Sequence, residues 1–382
     1  MKPSVDRPYL IIPTLVVQET WGGHYISSYK EIKNDKINAQ KIGQSYELYG
    51  KSLLSFADAT TDPRFQEDLV ECNVGSGALS RGVLALQELI QNDPARVLGD
   101  VAKKFSSMPL LIKFTQALGN SFQLHVRKTL EKDPRWKRKP ESWYYFEDGI
   151  ITYGIKKGAD MAEYKSVCES IDREMHFISK KLKEKIISFE SANSHMKEVI
   201  QKFNPWKYVN IHRVKKHTTV DLSPGAIHHS WEEDPVGCPL GNVLYEVQRD
   251  VSDYDSTIRS FDKGKIQPGG IIRELHIDDY FKHIDTDPSH NDFELAIQKR
   301  TVQNLVSTPF YSLDKLCVEK ELMVDMGNSF VHLFVIEGEI EVETSSHAIT
   351  VGRGHSCVVP HAVGAFSLSP SSGKASILKT YV

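Results

Sequence analysis

The segments PLLIKFTQALGNSFQLHVRK (109–128) and KRKPESWYYF (137–146) decide the fold of this chain. Both contain short, strongly apolar runs, which predict β-strands. Gln123 and His125 stand two residues apart on one of these strands, so their side chains point to the same face. Glu141 opens the next strand. The two segments therefore predict a β-structure in which an amide, an imidazole and a carboxylate can bind a ligand together.

These donors, with no cysteine among them, suit zinc or a similar divalent ion that keeps one position open for water or substrate. A fourth ligand is predicted downstream, in VDLSPGAIHHSW (220–231), where Pro224-Gly225 turns the chain and His228 follows. Adjacent His229 is the rival ligand, because a shift of one residue exchanges the side chains that face inward. From spacing alone, ordinary hydrogen-bonded polar side chains remain the alternative interpretation.

The order of motifs resembles the type I phosphomannose isomerases. In that family a PLL-K strand and the motifs Gln-x-His, Lys-x-Glu, Gly-x-x-His and Asp-x-x-x-Arg follow one another. The same five occur here in the same order, at residues 109–113, 123–125, 139–141, 225–228 and 255–259. The Trp21-Gly22-Gly23 turn and VGRGHSCVVPH (351–361) extend the resemblance to both ends. It implies a zinc-containing cupin barrel that interconverts mannose 6-phosphate and fructose 6-phosphate through an enediolate.

The resemblance also implies roles for individual residues. One zinc ion per chain would be bound by Gln123, His125, Glu141 and His228. The catalytic residues would be Arg259, Lys139, Asp255 and Glu246. Of these, Glu246 is the least well matched, since the segment from Glu246 to Arg259 is longer than in the family. The substrate, and its phosphate in particular, would be bound by Ser121, Lys113 and Lys128.

Two departures from the family pattern bear on the substrate. Gln44 and Tyr46 stand where the family has a glutamate and a tryptophan, and Val126 and Arg127 replace a proline and an acid after the Gln-x-His motif. A reversed charge next to the metal ligands predicts a changed sugar preference. The alternatives are an isomerase of another sugar phosphate and a non-catalytic sugar-binding cupin. The presence of Arg259, together with all four expected ligands, favours the enzyme.

Composition and charge limit the class of protein. The 382 residues are 40% hydrophobic and 25% charged, which is enough for a large core and two or three domains. A formal net charge of -3 gives no reason to expect nucleic acid or a membrane as partner. The N-terminus has no apolar signal-peptide core, and no run is long enough to span a membrane. Five scattered cysteines predict no disulfide framework. We therefore expect a cytoplasmic protein that binds a small sugar phosphate and needs no obligatory protein partner.

Periodicity predicts a mainly β fold with helical insertions: two cupin-like (jelly-roll) barrels plus a helical segment. The N-terminal catalytic barrel is expected at 1–285, with helices at about 78–106 and a helical insertion at about 160–203. Residues 286–382 are expected to form a second barrel without metal. Its histidines are interpreted as structural or surface residues: His332, His347, His355 and His361.

Overall fold

The computed structural model of the chain describes residues 4–75, 82–128 and 134–382. Within these ranges the strands form four antiparallel sheets, which confirms the predicted mainly β fold class. Among the described residues, no sheet closes into a continuous barrel. The helices are Tyr25–Tyr29, Asp35–Asn38, Pro63–Val74, Leu86–Asn92, Pro94–Leu98, Met161–Lys183, Phe189–Phe203, Ile277–His283 and Phe293–Ala296.

Two of the sheets build the first unit. The five-stranded sheet has the strand order Val209–Val214, Gly149–Ile155, His229–Trp231, Phe122–Leu124 and Ile258–Phe261. The six-stranded sheet has the strand order Thr219–Asp221, Glu141–Tyr145, Asn242–Arg249, Leu110–Ala117, Ile42–Leu48 and Thr14–Val17. Aromatic side chains from both sheets, among them Trp143, Tyr153 and Trp231, are buried between them. The inner faces of these sheets therefore share one core.

The other two sheets build the second unit. The four-stranded sheet has the strand order Leu322–Asp325, Ala365–Pro370, Glu339–Glu343 and Ala348–Gly352. The eight-stranded sheet has the strand order Asn304–Ser307, Ser312–Val318, Ala375–Tyr381, Val331–Glu337, Ser356–Val359, Tyr9–Ile12, Leu53–Ser55 and Val83–Ala85. Three strands from the start of the chain thus complete the sheet of the C-terminal part. The division into two domains at residue 285 stays a prediction. The three strands come before residue 285 in the chain, yet they belong to the sheet of the C-terminal part.

The two units share a further core. Phe114 and Tyr245, from the six-stranded sheet, lie in one buried cluster with Phe334 and Leu378 of the eight-stranded sheet. Alternate side chains of a strand point to opposite faces, so the six-stranded sheet contributes apolar side chains to a core on each side. It is therefore the middle layer between the two units.

The helical insertion consists of two helices. Met161–Lys183 begins after Asp160, whose carboxylate accepts hydrogen bonds from the backbone N–H of Ala162 and Glu163. Phe189–Phe203 begins after Ser188, earlier than the periodicity indicated. The buried faces of both helices pack against the five-stranded sheet on the side away from the six-stranded sheet. No helix in the described part of the chain is both long and apolar enough to cross a bilayer.

The segment predicted as helical at about 78–106 lies partly outside the described residues, since 76–81 are not described. From residue 83 it starts with the strand Val83–Ala85, which pairs with Leu53–Ser55. Two short helices follow, divided at Asp93, whose side chain accepts a hydrogen bond from the backbone N–H of Arg96. Pairing with another strand overrides the helical pattern at the start of this segment.

A buried ion pair lies at the boundary between the two units. Lys30 Nζ is 2.8 Å from Glu47 Oε1, and neither side chain has exposed surface. The hydroxyl groups of Ser45 and Ser356 donate hydrogen bonds to the Glu47 carboxylate at 2.6 and 2.9 Å. Burial lowers the pKa of Lys30, while Glu47 opposes this shift. Because Ser356 belongs to the eight-stranded sheet, this network joins the two units through polar contacts.

We predict that Lys30→Met lowers the free energy of unfolding by about 3–5 kcal/mol, because Glu47 is then buried without its cation. Adding Glu47→Gln is expected to recover much of the loss. Denaturant titration measures both effects. The control, Lys103→Met, breaks the exposed pair of Lys103 with Asp100 and should leave the unfolding midpoint unchanged. A Lys30→Met variant as stable as the wild type would contradict the prediction.

Candidate active site

The short strand Phe122–Leu124 determines which side chains share a face. Gln123 lies opposite His229 on one neighbouring strand and opposite Arg259 on the other. Directly opposed residues of antiparallel strands project to the same side of the sheet. The ring of His229 contacts that of Trp143, with centroids 5.6 Å apart. The three side chains therefore face the six-stranded sheet.

The turn before His229 explains its orientation. Gly225 and Ala226 both have positive φ, at 71° and 61°, a conformation that glycine adopts freely and alanine rarely. A Cβ added to Gly225 would lie 2.9 Å from the carbonyl oxygen of His125. The backbone N–H of Ala226 donates a hydrogen bond to the same oxygen. The turn is thus fixed to the neighbouring strand, and His229 is the residue that faces inward.

His125, Glu141 and His229 form the candidate metal centre. Each offers one ligand atom, and these atoms lie within 4.8 Å of one another. All three residues are buried. His125 Nε2 is 3.2 Å from Glu141 Oε2, and Trp143 Nε1 donates a hydrogen bond to Glu141 Oε1 at 2.5 Å. One carboxylate oxygen is therefore held by the tryptophan, while the other faces the histidines.

Main-chain carbonyl groups orient both imidazoles. His125 Nδ1 donates a hydrogen bond to the carbonyl oxygen of Ser256 at 2.8 Å, and His229 Nδ1 donates to that of Ile227 at 3.0 Å. The Nε2 atom of each ring thus faces the centre, as in metal-binding histidines whose other nitrogen is held by an acceptor. Burial lowers the pKa of His229 to about 4. Its imidazole is therefore neutral near pH 7, the state that binds a metal.

The donors of this centre fit a divalent cation. A neutral Nε2 and a carboxylate oxygen are both acceptors, so a cation between them removes their mutual repulsion. Burial by itself raises the pKa of Glu141, but the neighbouring His125 and the charge of Lys139 hold it below its ordinary value. The carboxyl group is therefore ionised. Two imidazoles and a carboxylate are a common ligand set for zinc with an open position.

Gln123 lies at the edge of this centre. Its Oε1 accepts a hydrogen bond from Ser121 Oγ at 3.3 Å, and its Nε2 is 3.5 Å from His229 Nε2. A half-turn of the amide exchanges oxygen and nitrogen, which would present Oε1 to the ligand atoms. Gln123 is therefore close enough to be a ligand, and its role stays a prediction.

His228 does not join the centre. Its Nδ1 is hydrogen-bonded to the hydroxyl of Tyr280, and its ring packs edge-on against Phe122 at 4.6 Å between centroids. These contacts lie on the face of the sheet that carries the helical insertion. The structure thus brings His229, the rival ligand, next to His125 and places His228 on the opposite face. His229 therefore replaces His228 as the candidate ligand. Adjacent side chains of a strand point to opposite faces, so a shift of one residue exchanges the two.

A cavity of about 1070 Å³ opens beside the candidate metal centre. Gln123 and Glu141 lie in its wall, together with Ser121. The helix Phe189–Phe203 contributes Phe189 and Asn193. The helical insertion therefore shapes the space next to the centre, although it packs on the outer side of the five-stranded sheet.

Lys113 and Glu246 form an ion pair in the cavity wall. They lie opposite each other on adjacent strands, with Lys113 Nζ 3.0 Å from Glu246 Oε1. Both are almost completely buried, and burial raises the pKa of Glu246, while the Lys113 ammonium opposes the shift. Glu246 balances the positive charge of Lys113. A substrate phosphate is therefore not needed to balance it, whereas the sequence led us to expect Lys113 to bind that phosphate.

Lys139 and Arg259 bring positive charge to the same cavity. Lys139 Nζ is 2.5 Å from Asp253 Oδ1 and 3.8 Å from Glu141 Oε2. Arg259 Nη1 donates a hydrogen bond to the carbonyl oxygen of Thr257 at 3.3 Å. Its Nε is buried and has no hydrogen-bond partner among the described residues. Arg259 thus lines the cavity with a guanidinium group whose Nε is buried without a partner.

Three residues singled out from sequence lie elsewhere. Asp255 forms an ion pair with Lys137 at 3.2 Å, outside the set of described residues that line the cavity. Lys128 is exposed and also outside that set. Arg127 pairs with Asp285, so its charge is directed away from the metal centre. The backbone changes direction directly after His125, which the spacing of the motif does not reveal.

Sequence reasoning missed residues that reach the cavity from loops. Asp253 lines it, two residues before the motif aspartate. So do Asp262 and Arg273, which form an ion pair at 3.1 Å. The residues between the strand Ile258–Phe261 and the helix Ile277–His283 have no periodic pattern, so nothing in the sequence indicated that they fold over the site.

The histidines of the second unit have partners of their own. His332 Nδ1 is 3.1 Å from the hydroxyl of Tyr245, and His347 Nε2 is 2.7 Å from Asp58. His355 Nε2 donates a hydrogen bond to the carbonyl oxygen of Lys30 at 3.0 Å. Among the described residues, the group of His125, Glu141 and His229 is the one cluster of such side chains that could hold a metal.

Comparison with known proteins agrees with this architecture. Residues 301–382 match the family model described as "Mannose-6-phosphate isomerase, cupin domain". The mannose 6-phosphate isomerase of Bacillus subtilis has a similar structure, with a TM-score of 0.67 and 15% identity over 98% of this chain and 99% of that one. A putative mannosephosphate isomerase from Archaeoglobus fulgidus has a TM-score of 0.63 and 17% identity, with 98% of each chain covered. A zinc-bound mannose 6-phosphate isomerase has a TM-score of 0.65 and 13% identity, over 98% and 99% of the two chains.

No curated protein matches this chain in sequence. Fold and site together define a protein of paired β-sheets with a candidate metal centre in its first unit. Residues 301–382 match the cupin domain of the mannose-6-phosphate isomerases, and the whole chain has the fold of the solved structures of that name. The resemblance to the type I phosphomannose isomerases is thereby confirmed.

We predict that His229→Gln removes bound metal, whereas His228→Gln does not. Loss of a directly binding imidazole costs more than the roughly 10- to 100-fold in affinity that is typical of residues behind the ligands. Zinc per chain, measured by mass spectrometry after dialysis, gives the answer. His228→Gln is expected to lower the melting temperature instead, because it loses the hydrogen bond to Tyr280. Full zinc content in His229→Gln would show that the centre is wrongly assigned.

Proposed function

We propose that this protein is a metal-dependent aldose–ketose isomerase that interconverts mannose 6-phosphate and fructose 6-phosphate. The observation that carries the proposal is the convergence of His125, Glu141 and His229 beside a large cavity, whose wall contains Glu141 together with Lys139 and Arg259. A metal centre next to fixed positive charge suits a reaction in which a substrate oxygen becomes negative. The match of residues 301–382 to the mannose-6-phosphate isomerase cupin domain supports this choice of reaction and substrate.

The metal would be held by His125, Glu141 and His229, with Gln123 as the fourth ligand. Zinc suits these donors, and the zinc-bound isomerase of similar fold supports that identity. A bound zinc ion supplies Lewis-acid polarisation of the substrate oxygens. The one-metal stoichiometry expected from sequence agrees with a single cluster of these residues in the described part of the chain.

The chain's own residues would stabilise the charge that develops on the substrate. Isomerisation moves a proton between carbons 1 and 2, and an enediolate oxygen carries negative charge on the way. The guanidinium of Arg259 stays protonated at any working pH and offers several donors in one plane. Arg259, whose side chain is 13% exposed, and Lys139 both line the cavity. They would hold the substrate oxygens and stabilise their charge.

The phosphate group would occupy the part of the cavity formed by loops. Ser121 lines the cavity near Gln123, as expected for a substrate-binding residue. Lys265 and Arg273 line the same cavity and add positive charge that suits a phosphate dianion. Lys113, in contrast, would act by holding Glu246, and Lys128 is exposed and outside the described lining of the cavity, so its role stays a prediction.

The expected partner is a small sugar phosphate rather than a macromolecule, and the expected location is the cytoplasm. All five cysteines carry free thiols, which suits a reducing compartment. The enclosed shape of the site, between two sheets and a helical insertion, suits a substrate of a few ångströms in size.

We predict that the zinc-loaded protein forms fructose 6-phosphate from mannose 6-phosphate, measured in a coupled assay. Treatment with a chelator should abolish turnover, and added zinc should restore it, because a metal held by His125, Glu141 and His229 would supply the polarisation of the substrate oxygens. Binding of mannose 6-phosphate without turnover would favour the sugar-binding cupin. Turnover of a different sugar phosphate alone would identify another isomerase.

We further predict that Arg259→Ala lowers kcat by about 100-fold or more, because a donor aimed at the developing charge is lost. Zinc content and melting temperature should stay unchanged. Arg127→Ala is the matched control, since Arg127 pairs with Asp285 outside the cavity and should not affect kcat. Normal turnover of Arg259→Ala together with a lower melting temperature would mean that the arginine has a structural role.

A further inference from the structure

The cavity contains a carboxylate that contacts both of its catalytic cations. Asp253 Oδ1 is 2.5 Å from Lys139 Nζ, and Asp253 Oδ2 is 3.9 Å from Arg259 Nη2. The hydroxyl of Thr257 donates a hydrogen bond to Asp253 Oδ1 at 3.4 Å. Lys139 and Arg259 approach the cavity from different parts of the chain. Asp253 is thus the point at which these two segments meet.

The motif aspartate, Asp255, lies in a different environment. Both aspartates belong to the same short 3-10 turn, Asp253–Asp255, which begins after Ser252. Asp255 faces Lys137, whose side chain is 57% exposed. The partner of Asp253 is Lys139, whose side chain is only 3% exposed. Asp253, whose side chain is 59% exposed, lies in the described wall of the cavity, whereas Asp255, 39% exposed, pairs with Lys137 outside that wall.

Lys139 has a second carboxylate within reach. Its Nζ is 3.8 Å from Glu141 Oε2, the oxygen that faces His125. A lysine ammonium is a compact charge on a flexible stem, so its position depends on the acceptors around it. In the absence of Asp253, Glu141 would be the nearest acceptor for Lys139. Asp253 therefore holds the ammonium away from the carboxylate oxygen that the metal needs.

We propose that Asp253, and not Asp255, is the positioning residue that fixes Lys139 and Arg259 at the cavity. The proposal rests on the proposed isomerase function for its kinetic consequences. Asp253 accepts hydrogen bonds from Lys139 and Thr257 and lies next to Arg259, so that both cations have one defined place relative to the substrate. Asp255 contributes only to the surface of the turn.

The test compares Asp253→Asn with Asp255→Asn in the zinc-loaded protein. Both changes replace a carboxylate by an amide of the same shape, two residues apart in one turn. Asp253→Asn should lower kcat by about 10- to 100-fold and change KM much less, because the cations act on the developing charge. Asp255→Asn should leave both constants unchanged. Asp253→Glu, which keeps the charge, should recover part of the lost kcat.

Crystal structures of the two asparagine variants provide a readout that does not depend on activity. In Asp253→Asn, the ammonium group of Lys139 should move toward Glu141 and the guanidinium of Arg259 should move as well. In Asp255→Asn, both should stay in place. Zinc affinity, measured by competition with a chelator, should fall in Asp253→Asn, since Lys139 then competes for Glu141.

The proposal is overturned if Asp253→Asn keeps the wild-type kcat, or if Asp255→Asn loses as much activity. If the wild-type protein turns over no sugar phosphate, the isomerase function fails, and the crystal structures alone decide the role of Asp253. Unmoved Lys139 and Arg259 side chains in Asp253→Asn would then refute it, and displaced side chains would support it.

Discussion

The hydrogen bond from His125 Nδ1 to the carbonyl oxygen of Ser256 ties the candidate metal centre to the cationic part of the cavity. Ser256 directly follows the turn Asp253–Asp255 and comes three residues before Arg259. The bond that fixes the tautomer of the imidazole thus also fixes the loop that carries Asp253. Because one carbonyl serves both purposes, the orientation of His125 and the position of the loop that carries Asp253 depend on the same hydrogen bond.

The six-stranded sheet has a comparable double role. Its face toward the five-stranded sheet carries Glu141, Lys113 and Glu246 beside the cavity. Its other face contributes Phe114 and Tyr245 to the core shared with the second unit. The buried charges on the face toward the five-stranded sheet are tolerated because each of them has a partner at short distance. The second unit therefore supports the site from behind, although its own histidines lie apart from it.

The position of Arg127 bears on how the departures from the family's motifs affect substrate specificity. A positive charge directly after the Gln-x-His motif suggested a direct effect on the sugar. In the structure the side chain pairs with Asp285, so it leaves the charge of the cavity unaltered. Gln44 and Asn193, in contrast, line the cavity, where a bound substrate would meet them. Specificity is therefore expected to depend on them more than on Arg127.

The sequence by itself determined the fold class, the helical insertion and the donors His125 and Glu141, because each depends on local periodicity or on short motifs within a strand. The choice between His228 and His229 was beyond it, since the two are adjacent where one strand begins and only the turn at Gly225 and Ala226 sets their side. Asp253 was equally hidden, because which aspartate of a short turn faces inward depends on Lys139, over a hundred residues away in the chain. The pairing of the three early strands within the eight-stranded sheet was missed for the same reason. Tertiary packing decides which strands pair, and the residues of one strand do not indicate its partners.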